Sequence, residues 1–239
     1  GKMGTRPYVS GFFIDRHEVT NKAYQQCVTD GLCKTKPHCD DGSCFRLVKQ
    51  DQSWEWQPGK VDRHYQEPEK PVVCVDWQQA KTYCEAQGKR LPTEAEWEKA
   101  AAGPEGYKWS FGNEFDGSKT NFCDVSCLLN WRDTKVNDGH PFTASVGTYS
   151  PNGYGLYDMS GNVWEWVEDR YDEKFYGTKE ATQRDPVNIS AGDRRVVRGG
   201  SWYDGAENLR AANRYRFAPE DRFGDLGFRG VRPPRQSKI

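Results

Sequence analysis

Cysteines are the residues of this sequence whose chemistry is most open to interpretation. There are eight of them: Cys27, Cys33, Cys39, Cys44, Cys74, Cys84, Cys123 and Cys127. The first four could form a zinc site, but their spacings of five, five and four residues differ from the paired short spacings of common zinc sites. Disulfides need only an oxidising compartment. The spacing favours disulfides, and therefore predicts an extracytoplasmic location in the periplasm, at the cell surface or in secretion.

The histidines give little support for a metal site or a catalytic site. The four histidines are His17, His38, His64 and His140, and no two of them form an H-x3-H pair. This scatter argues against a non-haem iron site. A nucleophile elbow, a phosphate loop and a zincin motif are also missing from the sequence. We interpret His17 as a packed or hydrogen-bonded structural residue.

The composition is that of a folded domain with a balanced surface. The 239 residues include 34 basic and 35 acidic side chains, which gives no reason to expect nucleic acid or an anionic membrane as partner. Nine Trp, twelve Tyr and eleven Phe argue against disorder. No apolar run approaches the roughly 18–20 residues of a membrane span. No signal peptide is visible, and the start at Gly1 fits a processed or trimmed N-terminus.

Three helices are predicted to position the N-terminal half. Thr20 and Asp76 can cap the first two, and Thr93 with Glu96 forms a T-x-x-E capping box for the third. The helices are expected to end at glycines, namely Gly31, Gly88 and Gly103.

Strand signals are short and lie at residues 12–14, 71–75 and 195–198. The rest is rich in Gly, Asn, Asp and Pro, which favours turns. We predict a single domain over residues 1–232, with a polar, cysteine-bearing surface insertion at 33–68 and a loose tail at 233–239.

Six phrases occur in an order that closely resembles one family. They are residues 15–21 (DRHEVTN), 71–77 (PVVCVDW), 88–98 (GKRLPTEAEWE), 152–166 (NGYGLYDMSGNVWEW), 198–202 (RGGSW) and 226–229 (LGFR). The chain resembles the formylglycine-generating enzyme, or sulfatase-modifying factor, superfamily from about residue 8 to residue 232. The resemblance implies that family's irregular α+β fold, which is related to C-type lectins.

The resemblance also implies where catalysis would occur. The family's oxygen-dependent members place two cysteines just after the Gly-Gly-Ser phrase, where they bind copper and engage a substrate cysteine. Residues 201–210 of this chain contain no cysteine, and Asp204 stands where the first would fall. Copper(I) requires soft thiolate ligands, so we expect neither bound copper nor formylglycine generation.

Two structural calcium sites are implied in the same way. The first would use the side chains of Asp158 and Glu165 with the carbonyls of Gly161 and Val163. The second would use Asn121 and Asp138 with the carbonyls of Phe122 and His140. Hard oxygen ligands of this mixture suit calcium. The alternative is that Asp158 and Glu165 only accept hydrogen bonds from turn amides.

The resemblance changes the expected disulfide pattern as well. Cys84 matches a cysteine whose family partner would lie at Gly230, so that partner is absent. We predict Cys74–Cys84 as its replacement, since a strand, a short loop and a helix can bring the two together. Cys123–Cys127 is predicted as a short-loop pair. The remaining four cysteines allow three pairings, of which we choose Cys27–Cys33 with Cys39–Cys44.

The groove of the family's active site is the candidate binding surface. Its expected lining is Trp202, Tyr203, Asp204, Asn208, Arg210, Asn213 and Arg214. Aromatic and Arg side chains are common interface anchors, although Trp202 can equally belong to the core and the arginines to structural ion pairs. The same fold serves in ligand-binding proteins with variable, often Asn-rich, residues there, a pattern that this chain lacks.

Three functions remain on the sequence alone. The leading hypothesis is a non-catalytic binding or accessory module with a protein or peptide partner, or a subunit of a larger extracytoplasmic assembly. The second is a periplasmic tailoring enzyme or oxidase that uses Tyr203, Asp204 and Arg210 for acid–base chemistry. The third, disfavoured by the missing thiolates, is a true formylglycine-generating oxidase.

Overall fold

A computed structural model describes residues 7–33, 43–51 and 53–234. Its three helices are α1 (Asn21–Thr29), α2 (Trp77–Ala86) and α3 (Glu94–Ala102). Thr20 caps α1 by accepting from the backbone N of Ala23. Asp76 and Thr93 each begin a full capping box, so all three predicted helix starts are confirmed.

Eight short strands and five 3-10 helices also lie within the described residues. In chain order the strands are β1 (Phe13–Ile14), β2 (Cys44–Gln50), β3 (Ser53–Gly59), β4 (Trp164–Arg170), β5 (Arg195–Arg198), β6 (Tyr215–Phe217), β7 (Leu226–Gly227) and β8 (Val231–Arg232). A four-stranded sheet has the order β6-β5-β4-β7, in which β7 runs parallel to β4 and the other pairs are antiparallel. β1 pairs with β8, and β2 with β3. The predicted irregular α+β fold is confirmed.

A buried ion pair joins the helical layer to the central sheet. Glu165 on β4 accepts from the guanidinium of Arg229 at 2.7–2.9 Å and from the indole N–H of Trp97 on α3 at 2.8 Å. All three side chains are almost fully buried. Because the carboxylate is both paired and hydrogen-bonded, its burial is compensated.

One sequence prediction about residues 71–75 was wrong. These residues do not form a strand, because Cys74 takes a left-handed φ of +62° that ends the extended run after Val73. The predicted polar, cysteine-bearing insertion contains the β2–β3 hairpin, seven residues on each side. Residues 34–42 of that insertion, and residues 235–239 of the predicted tail, lie outside the described residues.

Three disulfides lie within the described residues. Cys27–Cys33 and Cys123–Cys127 match the prediction. Cys44 bonds to Cys74, so the predicted Cys74–Cys84 and Cys39–Cys44 pairs were wrong. The left-handed backbone at Cys74 directs its side chain to the start of the hairpin, and Cys84 is a buried free thiol. Cys39 lies outside the described residues.

No helix within residues 7–33, 43–51 and 53–234 has both the length and the apolar character needed to cross a membrane.

Candidate functional site

A pocket of about 340 Å³ lies beside the loop that follows β5. Its lining consists of Trp56, Trp164, Tyr203, Asp204, Asn208, Tyr215, Phe217, Phe223 and Asp225. Six of these residues are aromatic, two are carboxylates and one is an amide. The volume is at the small end of the range for ligand pockets, and the pairing of apolar walls with few polar groups is typical of them.

Two glycines allow the loop to fold against the pocket. Gly199 and Gly200 have φ values of +100° and +72°, which L side chains rarely adopt. A Cβ on Gly200 would lie 3.1 Å from the backbone of Asn208, so the two segments approach more closely than a side chain permits. This approach places Ser201 and Asp204 at the base of the pocket.

Asp204 and Asp225 meet at the hydroxyl of Ser201. The Ser201 Oγ lies 2.7 Å from Oδ2 of Asp204 and 2.9 Å from Oδ2 of Asp225. Asp204 also accepts from the Ser201 backbone N at 3.1 Å and from Nδ2 of Asn208 at 2.7 Å. The other oxygen of Asp225, Oδ1, is buried and has no hydrogen-bond partner among the described residues.

This arrangement favours a proton on Asp225 in the empty pocket. Burial raises the pKa of Asp225 to about 7, and the nearby negative charge of Asp204 adds to the rise. Burial also raises the pKa of Asp204, against the hydrogen bonds from Ser201 and Asn208, which lower it. A serine hydroxyl carries a single proton, so it cannot serve both carboxylates as a donor. Asp225 is therefore the less compensated of the two.

The aromatic walls come from β3, β4, β6 and two loops. Trp56 on β3 has its ring centroid 5.2 Å from Tyr203 and 5.5 Å from Phe223. Tyr215 of β6 lies 5.7 Å from Trp164 of β4. Trp164 is buried, whereas Tyr215 is about half exposed, so the pocket runs from a dry base to a solvent-facing rim.

The β2–β3 hairpin is held over the pocket at its base. The Cys44–Cys74 disulfide ties it to the core. Phe45 donates its backbone N–H to the carbonyl of Arg222 at 2.7 Å, and Gly224 donates back to the carbonyl of Phe45 at 2.8 Å. The insertion thus supplies the Trp56 wall of the site.

The predicted groove residues separate into three groups. Tyr203, Asp204 and Asn208 line the pocket. Trp202 is 1% exposed and belongs to the core beneath it. The remaining three lie outside the lining: Arg210 pairs with Glu207, Asn213 donates to the carbonyl of Asn208, and Arg214 forms a two-pronged ion pair with Glu94.

Sequence reasoning missed most of the walls and one carboxylate. The alternation in residues 53–57 (SWEWQ) and 214–217 (RYRF) is a strand signal that places Trp56, Tyr215 and Phe217 on defined faces. Asp225 directly precedes the LGFR phrase, and nothing in its local pattern marks it. Trp164 belongs both to a core cluster and to the pocket lining.

Two residues expected at the second calcium site carry hard oxygen donors. Asp138 accepts from the backbone N atoms of Phe122 at 3.2 Å and His140 at 2.7 Å. Burial and the charge of Asp124 raise the pKa of Asp138 to about 6. Oδ1 of Asn121 is buried and has no partner among the described residues. An amide oxygen without a partner and a carboxylate destabilised by burial are donors of the type that calcium takes.

The first expected calcium site has an excess of negative charge. Asp158, Glu165 and Glu18 interact electrostatically, and Arg229 is the cation among them. Burial raises the pKa of Asp158 to about 6 and raises that of Glu18, with Asp158 and Glu165 adding to the latter. A divalent cation would offset this excess. The Glu165 oxygens already accept from Arg229 and Trp97, so Asp158 is the less occupied of the two predicted side-chain ligands.

Residues 5–234 match the Sulfatase-modifying factor enzyme 1-like domain. The chain belongs to this family. The match spans the pocket, both expected calcium sites and the three disulfides.

Relatives of the sulfatase-modifying factor family include active and inactive proteins. The chain is 42% identical to a formylglycine-generating enzyme of Streptomyces coelicolor over 171 residues, which cover 68% of the chain and 52% of that protein. It is 32% identical to an inactive C-alpha-formylglycine-generating enzyme 2 of Bos taurus over 259 residues, covering 95% and 80%. The solved structure of Treponema denticola variable protein 1 matches with a TM-score of 0.70 at 25% identity, covering 95% and 86%.

The chain spans 32% to 61% of the length of the first curated relatives it matches. None of the nine residues that line the pocket is a cysteine. Asp204 occupies the position at which the family resemblance places the first catalytic thiol.

Proposed function

We propose that this chain is a non-catalytic binding module whose groove takes up a protein or peptide partner. The observation that carries the proposal is Asp204, which stands in place of a thiol and is held by Ser201 and Asn208. A carboxylate held in this way cannot act as the soft ligand or the thiol partner that formylglycine formation requires. The aromatic walls provide the kind of surface that anchors a partner.

The proposed location is extracytoplasmic. Three disulfides lie within the described residues, and disulfides form and persist in oxidising compartments. The Cys44–Cys74 bond matters most to the proposed function, because it holds the hairpin that carries Trp56.

Calcium is proposed as a structural cofactor. The best-supported position is the one formed by Asn121 and Asp138 with the carbonyls of Phe122 and His140, since the amide oxygen there is buried without a partner. The position at Asp158 and Glu165, with the carbonyls of Gly161 and Val163, is supported by the excess of buried carboxylates. Calcium would cross-link loops that have little regular hydrogen bonding of their own.

A second candidate function is a tailoring enzyme that uses the same pocket. The observation in its favour is the Asp204–Asp225 pair, because two carboxylates at one hydroxyl are an acid–base arrangement. Of the acid–base residues expected from the sequence, Tyr203 and Asp204 line the pocket and Arg210 does not.

The first test separates binding from oxidation. The purified chain is incubated with copper, oxygen and a cysteine-containing sulfatase-type peptide, and aldehyde formation is followed by mass spectrometry. We expect no aldehyde. Aldehyde formation above the level of a copper-only control would overturn the proposal.

The second test asks whether the pocket is the binding surface. Peptides are selected from a displayed random library on the wild-type chain and then measured on Trp56→Ala. Tyr154→Ala, which removes an exposed aromatic outside the pocket, is the matched control. We expect Trp56→Ala to weaken binding and Tyr154→Ala to leave it unchanged. Equal binding by all three proteins would place the surface elsewhere and contradict the proposal.

A further inference from the structure

One buried carboxylate oxygen in the pocket has no hydrogen-bond partner among the described residues. Oδ1 of Asp225 is buried, lines the pocket and accepts no hydrogen bond from the described residues. The residue is 4% exposed, so bulk water does not compensate it. A buried polar atom without a partner costs free energy, and such an atom in a native pocket points to a missing ligand group.

The surroundings of Asp225 define the charge of that group. None of the nine lining residues is Lys, Arg or His, while two are carboxylates. Asp204 is already satisfied by Ser201 and Asn208. A bound cation would therefore complement the ionised form of Asp225 directly, whereas an anion would find no cationic side chain in the lining.

The aromatic lining of the pocket indicates the chemical class of the bound group. Six aromatic residues share the lining with the carboxylates, and ring contacts link Tyr203, Trp56, Phe223, Phe217, Tyr215 and Trp164 in a continuous series. Aromatic faces attract cations that shed their water easily, and cages of this composition recognise alkylated ammonium groups.

A metal ion fits the same pocket poorly. Its lining offers two carboxylates and one amide, and Asp204 already accepts hydrogen bonds from Ser201 and Asn208. Calcium takes six to eight oxygen ligands, and aromatic walls supply none. An organic cation needs only the one free carboxylate oxygen and the ring faces.

We propose that this pocket binds an organic ammonium group, enclosed by the aromatic rings and paired with the free oxygen of Asp225. The shared chemistry is a lysine-type or quaternary ammonium, carried either by a partner polypeptide or by a free small molecule. This inference rests on the proposed function, because both use the same pocket.

The test measures binding of defined probes by intrinsic tryptophan fluorescence and calorimetry. The small-molecule arm compares tetramethylammonium and choline with 3,3-dimethyl-1-butanol, the neutral isostere of choline. The polypeptide arm compares one peptide with its lysine unmodified, trimethylated or acetylated. We expect the cations to bind at least about tenfold more tightly than their neutral counterparts, as cation–π contacts around a buried charge require. The arm with the tighter cation identifies the source.

Variants test whether cation binding depends on the residues that line the pocket. Asp225→Asn keeps the shape and removes the charge, and it should reduce cation binding by about tenfold or more while leaving the neutral probe unchanged. Trp56→Ala, at a partly exposed strand position, should weaken cations as well. Asp193→Asn and Tyr154→Ala are matched controls, since both residues are exposed and lie outside the pocket. Thermal unfolding of each variant confirms that it is folded.

Two results would overturn the inference. One is equal binding of cations and neutral isosteres by the wild-type chain. The other is loss of cation binding in Asp193→Asn to the same extent as in Asp225→Asn. If ammonium probes fail but displayed peptides still require Trp56, the cation inference fails while the binding function stands. If neither class requires Trp56, the proposed function fails too.

Discussion

The thiol of Cys84 faces the α-carbon of Gly230. A Cβ built on Gly230 would lie 3.3 Å from Sγ of Cys84, next to the side chains of Lys89 and Asp15. Gly230 has no positive φ, so its backbone accepts a side chain. The free thiol therefore points at the position where the family resemblance placed its missing partner.

The substitution Gly230→Cys is expected to form a disulfide with Cys84 in an oxidising buffer. The bond would close a long loop and raise the free energy of unfolding by up to about 4 kcal/mol, less any strain against Lys89. Mass spectrometry after thiol alkylation and thermal unfolding measure the two effects. Gly224→Cys is the control, because its new side chain would face Tyr65 rather than a cysteine. An unbonded Cys84 in the oxidised Gly230→Cys protein would contradict the geometry.

Loss of the Cys44–Cys74 bond should loosen the hairpin and the pocket together. Cys44→Ala opens the loop between the two residues, whose closure is worth about 3 to 4 kcal/mol on the chain-entropy model. We expect a lower melting temperature, faster proteolysis within residues 44–59 and weaker binding to the pocket. Cys123→Ala opens a loop of only a few residues and should be milder in all three measurements. An intact hairpin in Cys44→Ala would show that the backbone bonds to Arg222 and Gly224 suffice.

Local signals predicted the fold better than the site. Thr20, Asp76 and Thr93 were identifiable as helix caps because a cap depends on residues three positions away. The pocket depends on Trp56 and Asp225, which lie far apart in the sequence and line one pocket only because the hairpin packs against the segment between β6 and β7. The strand and the disulfide partner predicted for Cys74 were wrong for a related reason. The valines around Cys74 give no indication of its left-handed backbone. Asp204 was found only through the phrase that precedes it.

The buried ion pair of Glu94 and Arg214 should contribute to stability rather than to binding. Glu94 is fully buried and accepts from Arg214 at 2.6 and 2.8 Å, with Arg198 also 3.6 Å away. Glu94→Gln leaves the Arg214 guanidinium without its carboxylate, while Arg198 keeps its pair with Glu98, and should cost about 3 kcal/mol of the free energy of unfolding. Glu69→Gln, in an exposed pair with Lys22, should cost less than about 1 kcal/mol. Urea unfolding measures both, and equal losses would contradict this assignment.

Removal of calcium is expected to destabilise the chain. Dialysis against a chelator should lower the melting temperature, and calcium should restore it where magnesium at equal concentration does not, because the loop donors suit a larger cation. Asn121→Ala and Asp138→Asn should each reduce the calcium-dependent increment, whereas Asp193→Asn should not. A melting temperature indifferent to chelation and calcium would argue against both proposed sites.

Binding of tetramethylammonium should strengthen as the pH rises from about 6 to about 8, since binding of a cation favours the ionised carboxylate. The pKa of Asp225 is raised to about 7 in the empty pocket, so below that pH the cation must displace a proton. Asp204 faces the same hydroxyl, and its own pKa is raised by burial. The neighbouring Tyr203 and Tyr65 have pKa values raised above the ordinary tyrosine value, so neither titrates in this range. Affinity should gain up to about tenfold per pH unit below the pKa of Asp225 and level off above it.

Tetramethylammonium carries no titratable proton, so the pH dependence of its affinity reports titration of the protein alone. Calorimetric titrations at several pH values should give this slope for the wild-type chain and for Asp193→Asn, and a flat line for Asp225→Asn; a slope that persists in Asp225→Asn would assign the proton to another group.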